Sequence, residues 1–466
     1  MKKRLAGILA MFILAVALAL PAAAMEGYAP PEEPTAQAAY VVNLDTNIVV
    51  YEKNSEASIT AASLTKMMTM LLMLKTYQDQ LDTVTVTMPR EIDDILYGTG
   101  ASLADIRPGE TVTLRNLLYG MEVQSGNEAA YIVAFFMGNN DPDTFVAMMN
   151  EEAKALGCTG TVFTDPCGLN EGNMTTARDA YLILRALLEY DAFVEAAGVT
   201  DYQMPANTQH ESPYNLHTTN SMISPSSAYY RAYTQGGKTG SLASGWQNFA
   251  SWHTQNGETY ISVLLQSDAA ADPNASEPKY AKPALVETAN LMDWVFSTFS
   301  IAPALDTTSP ITERPVRYST DADTVMLYPA DNMMTLLPAD GGADLTQKTF
   351  DLPEYLTAPL KQGDVVGTVT LSINGEKLGT VDLLAGSTVT RNQVLFTLTK
   401  VGEFFSSTYF KVVIILTLVV VAVYAFVWVC AILMGGSRGG RGKPGGRAAK
   451  RRTAYRSAPA RRSRRE

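Results

Sequence analysis

The feature that most constrains this chain is a run of 23 residues near its C-terminus, Val412 to Met434, that contains no charged side chain. As a helix, this run would cross about 30 Å of hydrocarbon. A basic tail follows, because residues 438–466 hold 12 lysines and arginines and one acid, Glu466. Positive charge beside a span marks its cytoplasmic side. The pattern predicts a single-pass protein of the cell membrane, with a transmembrane helix at 412–434, a cytoplasmic tail at 435–466 and the remaining chain outside.

The N-terminus has the pattern of a secretory signal. Three basic residues at positions 2 to 4 precede an apolar run from Leu5 to Leu20, and alanines occupy positions 22 to 24. This predicts a signal peptide at 1–24 that is cleaved after export, with an uncleaved anchor as the alternative. Residues 25–37, which include PPEEPTAQ, are expected to form a leader.

Charge is distributed very unevenly along the chain. The formal net charge is −11, and removing the tail (+11) and the signal (+3) leaves −25 on residues 25–437. Such an acidic extracytoplasmic part is a poor partner for nucleic acid, and we expect none. The basic tail suits anionic lipid headgroups.

The cysteines and histidines predict no metal site and no cofactor. Cys430 lies in the predicted span, whereas Cys158 and Cys167 lie outside it, where export permits either a disulfide or two free thiols. The three histidines form no H-E-x-x-H motif and the cysteines no C-x-x-C spacing.

Between the signal and the span, the patterns predict two domains. The first, at 38–302, begins with a β-hairpin and ends with two strands around Asn256-Gly257 and a helix. Sheet elements at both ends with helices between them indicate an α/β (α+β) sandwich whose terminal strands pair. The predicted elements are the hairpin at 39–51, helices at 63–77, 113–123, 128–137, 143–156 and 175–190, strands at 246–252 and 258–266, and a helix at 281–299.

The second domain, at 306–398, has a different texture. Short alternating runs such as VVGTVTL and LGTVDLL are separated by Gly, Asn and Asp turns. The pattern predicts a small all-β domain. Residues 399–411 would then connect it to the span.

Chemistry is first suggested by Ser63 and Lys66, which form an S-x-x-K spacing. On a helix these side chains lie one turn apart on the same face. A lysine with a lowered pKa can take the proton of a serine hydroxyl and make it nucleophilic. Alone the spacing is weak, since an exposed Ser and an exposed Lys on an amphipathic helix would look the same.

Two further motifs occur in the same domain. Ser125-Gly126-Asn127 stands between two predicted helices, and Lys238-Thr239-Gly240 leads into the returning strands. Separately, the first is compatible with a helix cap and the second with an edge-strand lysine. Together and in this order, S-x-x-K, S-x-N and K-T-G are typical of penicillin-binding proteins and class A β-lactamases.

From about residue 38 to 401 the sequence resembles the D-alanyl-D-alanine carboxypeptidases, the low-molecular-weight penicillin-binding proteins. The resemblance rests on ASLTKMMT, RPGETVTLRNLLYGMEVQSGNEAA, FTDPCGL with TTARD, TTNSMI before GGKTG, and LTAPLKQGDVVGTVTL in the β-rich part. It implies a serine β-lactamase/transpeptidase-like fold. It also implies removal of the terminal D-alanine from peptidoglycan stem pentapeptides, with regulation of cross-linking, and acylation by penicillins and other β-lactams.

The resemblance also implies roles for individual residues. Ser63 would be the nucleophile, Lys66 its base, and Ser125 the relay of the proton to the leaving amine. The backbone N–H groups of Ser63 and Ser241 would form the oxyanion hole.

Four other residues would bind the substrate. Asn127 would position the substrate amide, Lys238 and Thr239 would bind the terminal carboxylate, and Gly240 would let the strand approach closely. One departure from the family is Asn173-Met174, which stands where a histidine is usual before T-A-x-D.

Three alternatives share these motifs or this fold. A D,D-endopeptidase or transpeptidase uses the same groups with another bond or acceptor. A β-lactamase has the same trio but needs no β-rich domain, span or tail. A non-enzymatic cell-wall scaffold would be marked by loss of Ser63, Lys66 or Lys238, all of which are present.

Overall fold

The computed structural model describes residues 23–24, 28–242, 245–272, 281–339, 346–373 and 376–435. Nearly all of the predicted signal peptide, the start of the leader and the basic tail after residue 435 lie outside these residues. The described chain forms two compact units: the first comprises residues up to 314 with 325–354 and 361–387, and the second comprises 315–324, 355–360 and 388–435.

The first unit is built on a six-stranded antiparallel sheet with the order β1-β3-β2-β12-β11-β10. Its strands are β1 (Ala23–Ala24), β2 (Ala38–Asn43), β3 (Val49–Lys53), β10 (Thr234–Ser241), β11 (Gln247–Gln255) and β12 (Glu258–Ser267). The N-terminal hairpin pairs with the returning strands through β2 and β12, where Val41 faces Ser262. The predicted pairing of terminal strands is therefore confirmed, as is the turn between β11 and β12, where Asn256 and Gly257 have φ of 56° and 86°.

Both faces of this sheet are covered, because β2 has apolar residues on each of its two faces. Ala38 and Val42 of β2 belong to one buried cluster, whereas Ala39 and Val41 belong to another on the opposite face. Successive side chains of a strand point to opposite faces, so the run AAYVV contributes side chains to two hydrophobic cores. The helices are α1 (Thr65–Tyr77), α2 (Glu91–Leu96), α3 (Leu114–Glu122), α4 (Asn127–Met137), α5 (Pro142–Ala155), α6 (Ala177–Leu187), α7 (Asp191–Ala197) and α8 (Pro283–Thr298).

Helix α1 is the central element of the larger core. It is buried over its first ten residues, Thr65–Leu74, and it contacts α3, α4, α5 and α6. A helix surrounded in this way needs apolar side chains all round. This explains the run MMTMLLML. The burial of α1 also holds its first turn, next to Ser63, in a fixed position within the domain.

Local side-chain and backbone features also explain where two of these helices begin and where one ends. The N-caps Thr113 and Asp141 accept hydrogen bonds from Asn116 N and Asp143 N, and α5 ends just before Gly157, which has φ of 85°. The sequence patterns missed the two shortest helices, α2 and α7. They also missed several short strands: β4 (Ile59–Thr60) with β7 (Met174–Thr175), β5 (Thr85–Thr87) with β6 (Thr111–Thr113), and β8 (Asp201–Met204) with β9 (Tyr214–His217).

The β-rich part of the first unit contains a strand pair and a sheet. Strand β13 (Phe299–Leu305) pairs with β16 (Met333–Pro338), and the sheet has the order β17-β19-β20-β15. These strands are β15 (Thr324–Pro329), β17 (Thr346–Asp351), β19 (Val365–Ile373) and β20 (Glu376–Ala385). Val369, Leu371 and Leu383 are buried at every second position, as expected for a sheet with one covered face.

The second unit ends in two consecutive helices. Strands β14 (Thr312–Arg317) and β18 (Leu356–Thr357) pair in parallel through their ends, and helices α9 (Gln393–Ser406) and α10 (Thr408–Gly435) follow. Helix α9 corrects the predicted all-β domain to 398 and the connector at 399–411. Its Val, Thr and Phe residues favour strands, but Asn392 caps it by accepting a hydrogen bond from Leu395 N.

Helix α10 includes the predicted span. Within the described part of the chain, the segment Thr408–Met434 is the one helix long and apolar enough to cross a membrane, and its most apolar stretch has no buried residue. It is a candidate membrane anchor.

Candidate active site

Ser63 lies in a short 3₁₀ turn, Ala62–Leu64, that leads directly into α1. One helical turn later, the Nζ atom of Lys66 lies 3.1 Å from Ser63 Oγ. The position at the start of a helix favours negative charge on the serine oxygen, because the first backbone N–H groups of the helix have no intrahelical partner.

Lys66 is held by three acceptors. Its Nζ donates to Ser63 Oγ, to Asn127 Oδ1 at 2.5 Å and to the carbonyl oxygen of Cys167 at 2.9 Å. The side chain has no exposed surface. Burial lowers the pKa of Lys66, and the nearby negative charges of Asp165 and Glu128 oppose this effect.

Lys238 forms a second buried lysine site beside the first. Its Nζ donates to Ser125 Oγ at 3.0 Å and to Thr239 O at 3.3 Å. Burial lowers the pKa of Lys238, the positive charge of Lys66 lowers it further, and the buried carboxyl of Glu122 on α3 raises it. Burial also raises the pKa of Glu122. Two lysines and a carboxyl group that are all partly destabilised as ions therefore lie close behind the two serines.

The backbone is strained at both serine sites: at the residue before Ser63 and at Ser125 itself. Ala62, just before the nucleophile candidate, has φ of 47°, and Ser125 has φ of 60°. A residue with a Cβ in the left-handed region costs about 1–2 kcal/mol. Such conformations persist where surrounding contacts impose them, and they are concentrated at functional sites.

Strand β10 lies against the turn that carries Ser63. A Cβ atom on Gly240 would lie 3.2 Å from Ala61 O and 3.3 Å from Ser63 N, so glycine lets the strand and the turn pack this closely without displacing either backbone. On the neighbouring strand, the buried side chain of Asn248 donates to the carbonyl groups of Thr60 and Ala61. The sheet is thus fastened directly to the serine turn.

A tight loop between α5 and α6 supplies the carbonyl that faces Lys66. The carboxylate of Asp165 accepts hydrogen bonds from the backbone N–H of Cys167, Gly168 and Asn170 at 2.7, 2.6 and 2.5 Å. Three such bonds fix the peptide groups of the loop, including the Cys167 carbonyl.

Asn173, the departure from the family pattern, stabilises the same loop. It is fully buried, its Oδ1 accepts hydrogen bonds from the backbone N–H of Thr164 and Asp165, and its carbonyl accepts one from Ala61 N. Asn173 thus stabilises the loop through its side chain and connects it to the serine turn through its backbone carbonyl. Cys158 and Cys167 are buried free thiols, so the possible disulfide is not formed.

Most of the predicted residues meet at one cleft of about 660 Å³. Those that line it are Ser63, Ser125, Asn127, Thr239 and Ser241. Lys66 and Lys238 lie beneath them with no exposed surface. Thr239 Oγ1 also donates to Thr219 Oγ1 at 2.7 Å, which orients that hydroxyl.

Sequence reasoning missed the supporting residues of this site. They are Asp165, the carbonyl of Cys167, Thr219, Asn248 and Glu128. The stretches FTDPCGL and TTNSMI contain three of them and indicated the family, but no residue-level role. A backbone carbonyl has no sequence signal, and Asn248 lies 187 residues from the group it binds.

The fold and site agree with comparisons to known proteins. The profile of the D-alanyl-D-alanine carboxypeptidase family matches residues 25–269, and that of the penicillin-binding protein 5 C-terminal domain matches residues 301–391. The chain belongs to the D-alanyl-D-alanine carboxypeptidase family, serine-type hydrolases that act on peptidoglycan and typically bind penicillins. The predicted family, fold class and enzyme class are confirmed.

Particular relatives cover most of the chain. It is 26% identical over 346 residues to D-alanyl-D-alanine carboxypeptidase DacF of Bacillus subtilis, covering 74% of this chain and 83% of the relative. It is 29% identical over 337 residues to DacC of Escherichia coli, covering 71% and 78%. The crystal structure of penicillin-binding protein 5 from Haemophilus influenzae shares the fold, with a TM-score of 0.54 and 23% identity over 78% of this chain and all of that one.

Proposed function

We propose that Ser63 attacks the carbonyl between the last two D-alanines of a stem pentapeptide, and that Lys66 takes its proton. The observation that supports this most directly is the 3.1 Å contact between Lys66 Nζ and Ser63 Oγ, made by a lysine whose pKa burial lowers. A lysine with a lowered pKa loses its proton at a lower pH than an exposed lysine, which suits it to act as a general base.

The other two contacts of Lys66 orient its lone pair. In the neutral amine, two N–H bonds donate to Asn127 Oδ1 and to Cys167 O, which leaves the lone pair for the hydroxyl proton of Ser63. As Ser63 Oγ bonds to the carbonyl carbon, the carbonyl oxygen becomes an oxyanion. Ser63 and Ser241 both line this cleft, and their backbone N–H groups would stabilise that oxyanion.

Collapse of this intermediate requires a proton on the leaving nitrogen. Ser125 relays to the amine of the terminal D-alanine the proton that Lys66 took from Ser63, so Lys66 is neutral again, and the C–N bond breaks to leave an ester on Ser63. Lys238, which donates to Ser125 Oγ, holds that hydroxyl in place and supplies positive charge. Water then attacks the ester, with Lys66 again as base, and the shortened peptide leaves.

The terminal carboxylate of the substrate is bound at the same end of the cleft. Lys238 and Thr239 provide a cation and a hydroxyl there, and Thr219 orients the hydroxyl. Because the domain outside the membrane is acidic overall, a small peptide carboxylate is a better ligand than an extended anionic polymer. A penicillin carboxylate would occupy this position.

We also propose how the protein is attached to the cell. Residues 1–24 direct export and are removed, and the two-residue edge strand β1 is removed with them. Residues 25–37 form a leader, 38–302 are the catalytic domain, and the β-rich part from 306 to the start of α9 is the accessory domain. The span at 412–434 leaves the basic tail in the cytoplasm. Helix α9 supports membrane attachment, because Val394, Leu398, Val401 and Phe405 form one exposed apolar stripe directly before α10. The tail would contact anionic lipid.

The function is tested with the full-length protein in detergent and a pentapeptide ending in D-Ala-D-Ala. We expect D-alanine release by the wild type and none by Ser63→Ala. Ser226→Ala is the control and should behave like the wild type, because it removes an exposed hydroxyl whose hydrogen bond, within the part of the chain that the structure describes, is to Ser224 Oγ. Release that persists in Ser63→Ala would refute the proposal, and folded wild type without release would favour the non-enzymatic scaffold.

A further inference from the structure

One wall of the cleft is an irregular segment. Gly100, Ala101 and Ser102 line the cleft, as Gly168 and Leu169 do, but they belong to neither a helix nor a strand. Segments without regular hydrogen bonds move easily unless other contacts hold them. What holds this wall therefore decides the shape of the cleft beside Ser63.

The wall is bonded to the turn that carries Ser125. Ser102 O accepts a hydrogen bond from Asn127 N at 2.9 Å, and Ser102 Oγ donates to Gln124 O at 2.9 Å. The approach is close enough to exclude a side chain, because a Cβ on Gly126 would lie 2.8 Å from Ala104 Cβ. The wall and the S-x-N turn thus pack as one piece.

Glu128, the residue after the S-x-N motif, makes the remaining attachment. It is 1% exposed, and its Oε1 accepts hydrogen bonds from the backbone N–H of Ala104 at 2.5 Å and Ile106 at 3.2 Å. Among the described residues, its Oε2 has no hydrogen-bond partner. Burial raises the pKa of Glu128 to about 7, so the ionised group is kept at a cost that these two bonds partly offset.

We propose that Glu128 is a positioning residue of the active site. Through Ala104 N and Ile106 N it fastens the irregular segment 100–106, which includes the cleft wall, to the Ser125–Asn127 turn. This inference rests on the function proposed above. Glu128 lies on α4 directly after Asn127, which contacts Lys66. The first two residues of α4 therefore contact both the proposed base, Lys66, and the segment that forms the wall.

On this proposal, the attachment depends on the length of the side chain (its reach) and on one acceptor oxygen, and not on the negative charge. In Glu128→Gln, the amide oxygen can replace Oε1 and accept both bonds, and the NH₂ group takes the position of the unpaired Oε2. In Glu128→Asp, the charge remains, but the side chain is one methylene shorter and cannot reach both N–H groups. Glu128→Leu keeps the buried volume but has no acceptor.

These variants separate the two possible roles of the carboxylate. If Glu128 acts through reach, Glu128→Gln keeps kcat/KM for the pentapeptide within about threefold of wild type, whereas Glu128→Asp and Glu128→Leu lose at least about tenfold. The loss should also appear in the rate of penicillin acylation, because the wall bounds both ligands. If Glu128 acts only by its charge near Lys66, Glu128→Asp is the more active variant, and the proposal is wrong.

Hydrogen exchange provides a readout independent of catalysis. In full-length protein in detergent, peptides covering Ala104 and Ile106 should exchange faster in Glu128→Asp and Glu128→Leu than in wild type or Glu128→Gln. Glu110→Gln is the matched control, since Glu110 is equally buried and accepts from Arg107 N at the far end of the same segment. It should leave kcat/KM unchanged.

The outcomes distinguish this inference from the proposed function. Unchanged exchange in the Asp and Leu variants, or an equal loss of kcat/KM in Glu110→Gln, would overturn the positioning role. If the wild type itself released no D-alanine, the proposed function would fail, while the exchange of the Ala104 and Ile106 amides would still test the attachment.

Discussion

Replacing Asp165 by Asn should damage both stability and acylation. The carboxylate accepts three backbone hydrogen bonds, two at Oδ1 and one at Oδ2. An asparagine has one acceptor oxygen, so its NH₂ group must face at least one N–H of the loop. Hydrogen bonds to charged groups contribute about 1.5–3 kcal/mol each, and we therefore expect a loss of about 2–3 kcal/mol in unfolding free energy.

The chemical effect of Asp165→Asn follows from the Cys167 carbonyl. If the loop relaxes, Lys66 loses the acceptor at 2.9 Å that helps to orient its lone pair. Losing this hydrogen bond should raise the activation free energy of acylation by about 1.5–3 kcal/mol, which corresponds to an acylation rate about 10- to 100-fold lower. The assay is the second-order rate of acylation by a fluorescent penicillin, with urea unfolding measured in parallel.

Asp179→Asn is the matched control. Asp179 has no exposed surface and accepts from Thr159 N, Gly160 N and Thr161 Oγ1, but it makes no bond to the lysine site. It should lose similar stability and keep its acylation rate, provided both variants are assayed well below their unfolding midpoints. Equal acylation rates in the two variants would mean that the loop held by Asp165 does not orient Lys66.

Three further predictions concern other residues. Because burial lowers the pKa of Lys66, the acid limb of the acylation rate should lie well below the range of an exposed lysine, about 10.4; a pH profile that rises only near that value contradicts this. Gly168→Ala should abolish acylation, since its Cβ would lie 1.7 Å from Ala62 O, whereas Gly157→Ala, with similar φ and open space, should cost only about 1 kcal/mol in thermal unfolding. Burial lowers the pKa of His253 to about 3, so the unfolded state binds more protons below about pH 6.5, and stability should fall by about 2–3 kcal/mol toward pH 4.5. Urea unfolding of His253→Gln should show a shallower dependence.

Much of the fold could be predicted because local patterns and tertiary contacts agree. Caps at Thr113 and Asp141, alternation in β2 and the Asn256-Gly257 turn each have local causes that the structure preserves. Helix α9 was not predicted, because its sequence contains residues that favour strands, although Asn392 caps it as a helix. Short elements such as α7 have too few residues to show a period.

The candidate site was predictable only at the level of its motifs. Ser63 and Lys66 are one turn apart, so their contact follows from the sequence. The Lys66–Cys167 bond instead joins residues 101 apart and uses a backbone carbonyl, which any residue can supply. The attachment by Glu128 similarly requires knowing where the irregular wall runs, and no periodicity describes such a segment.

Locating the penicillin adduct would show whether Ser63 is the nucleophile. Full-length protein in detergent would be incubated with a penicillin, digested and analysed by peptide mass. We expect one adduct, on the peptide containing Ser63, and none in Ser63→Ala. An adduct on another residue, or an adduct on Ser63→Ala of the same mass and rate, would contradict this assignment.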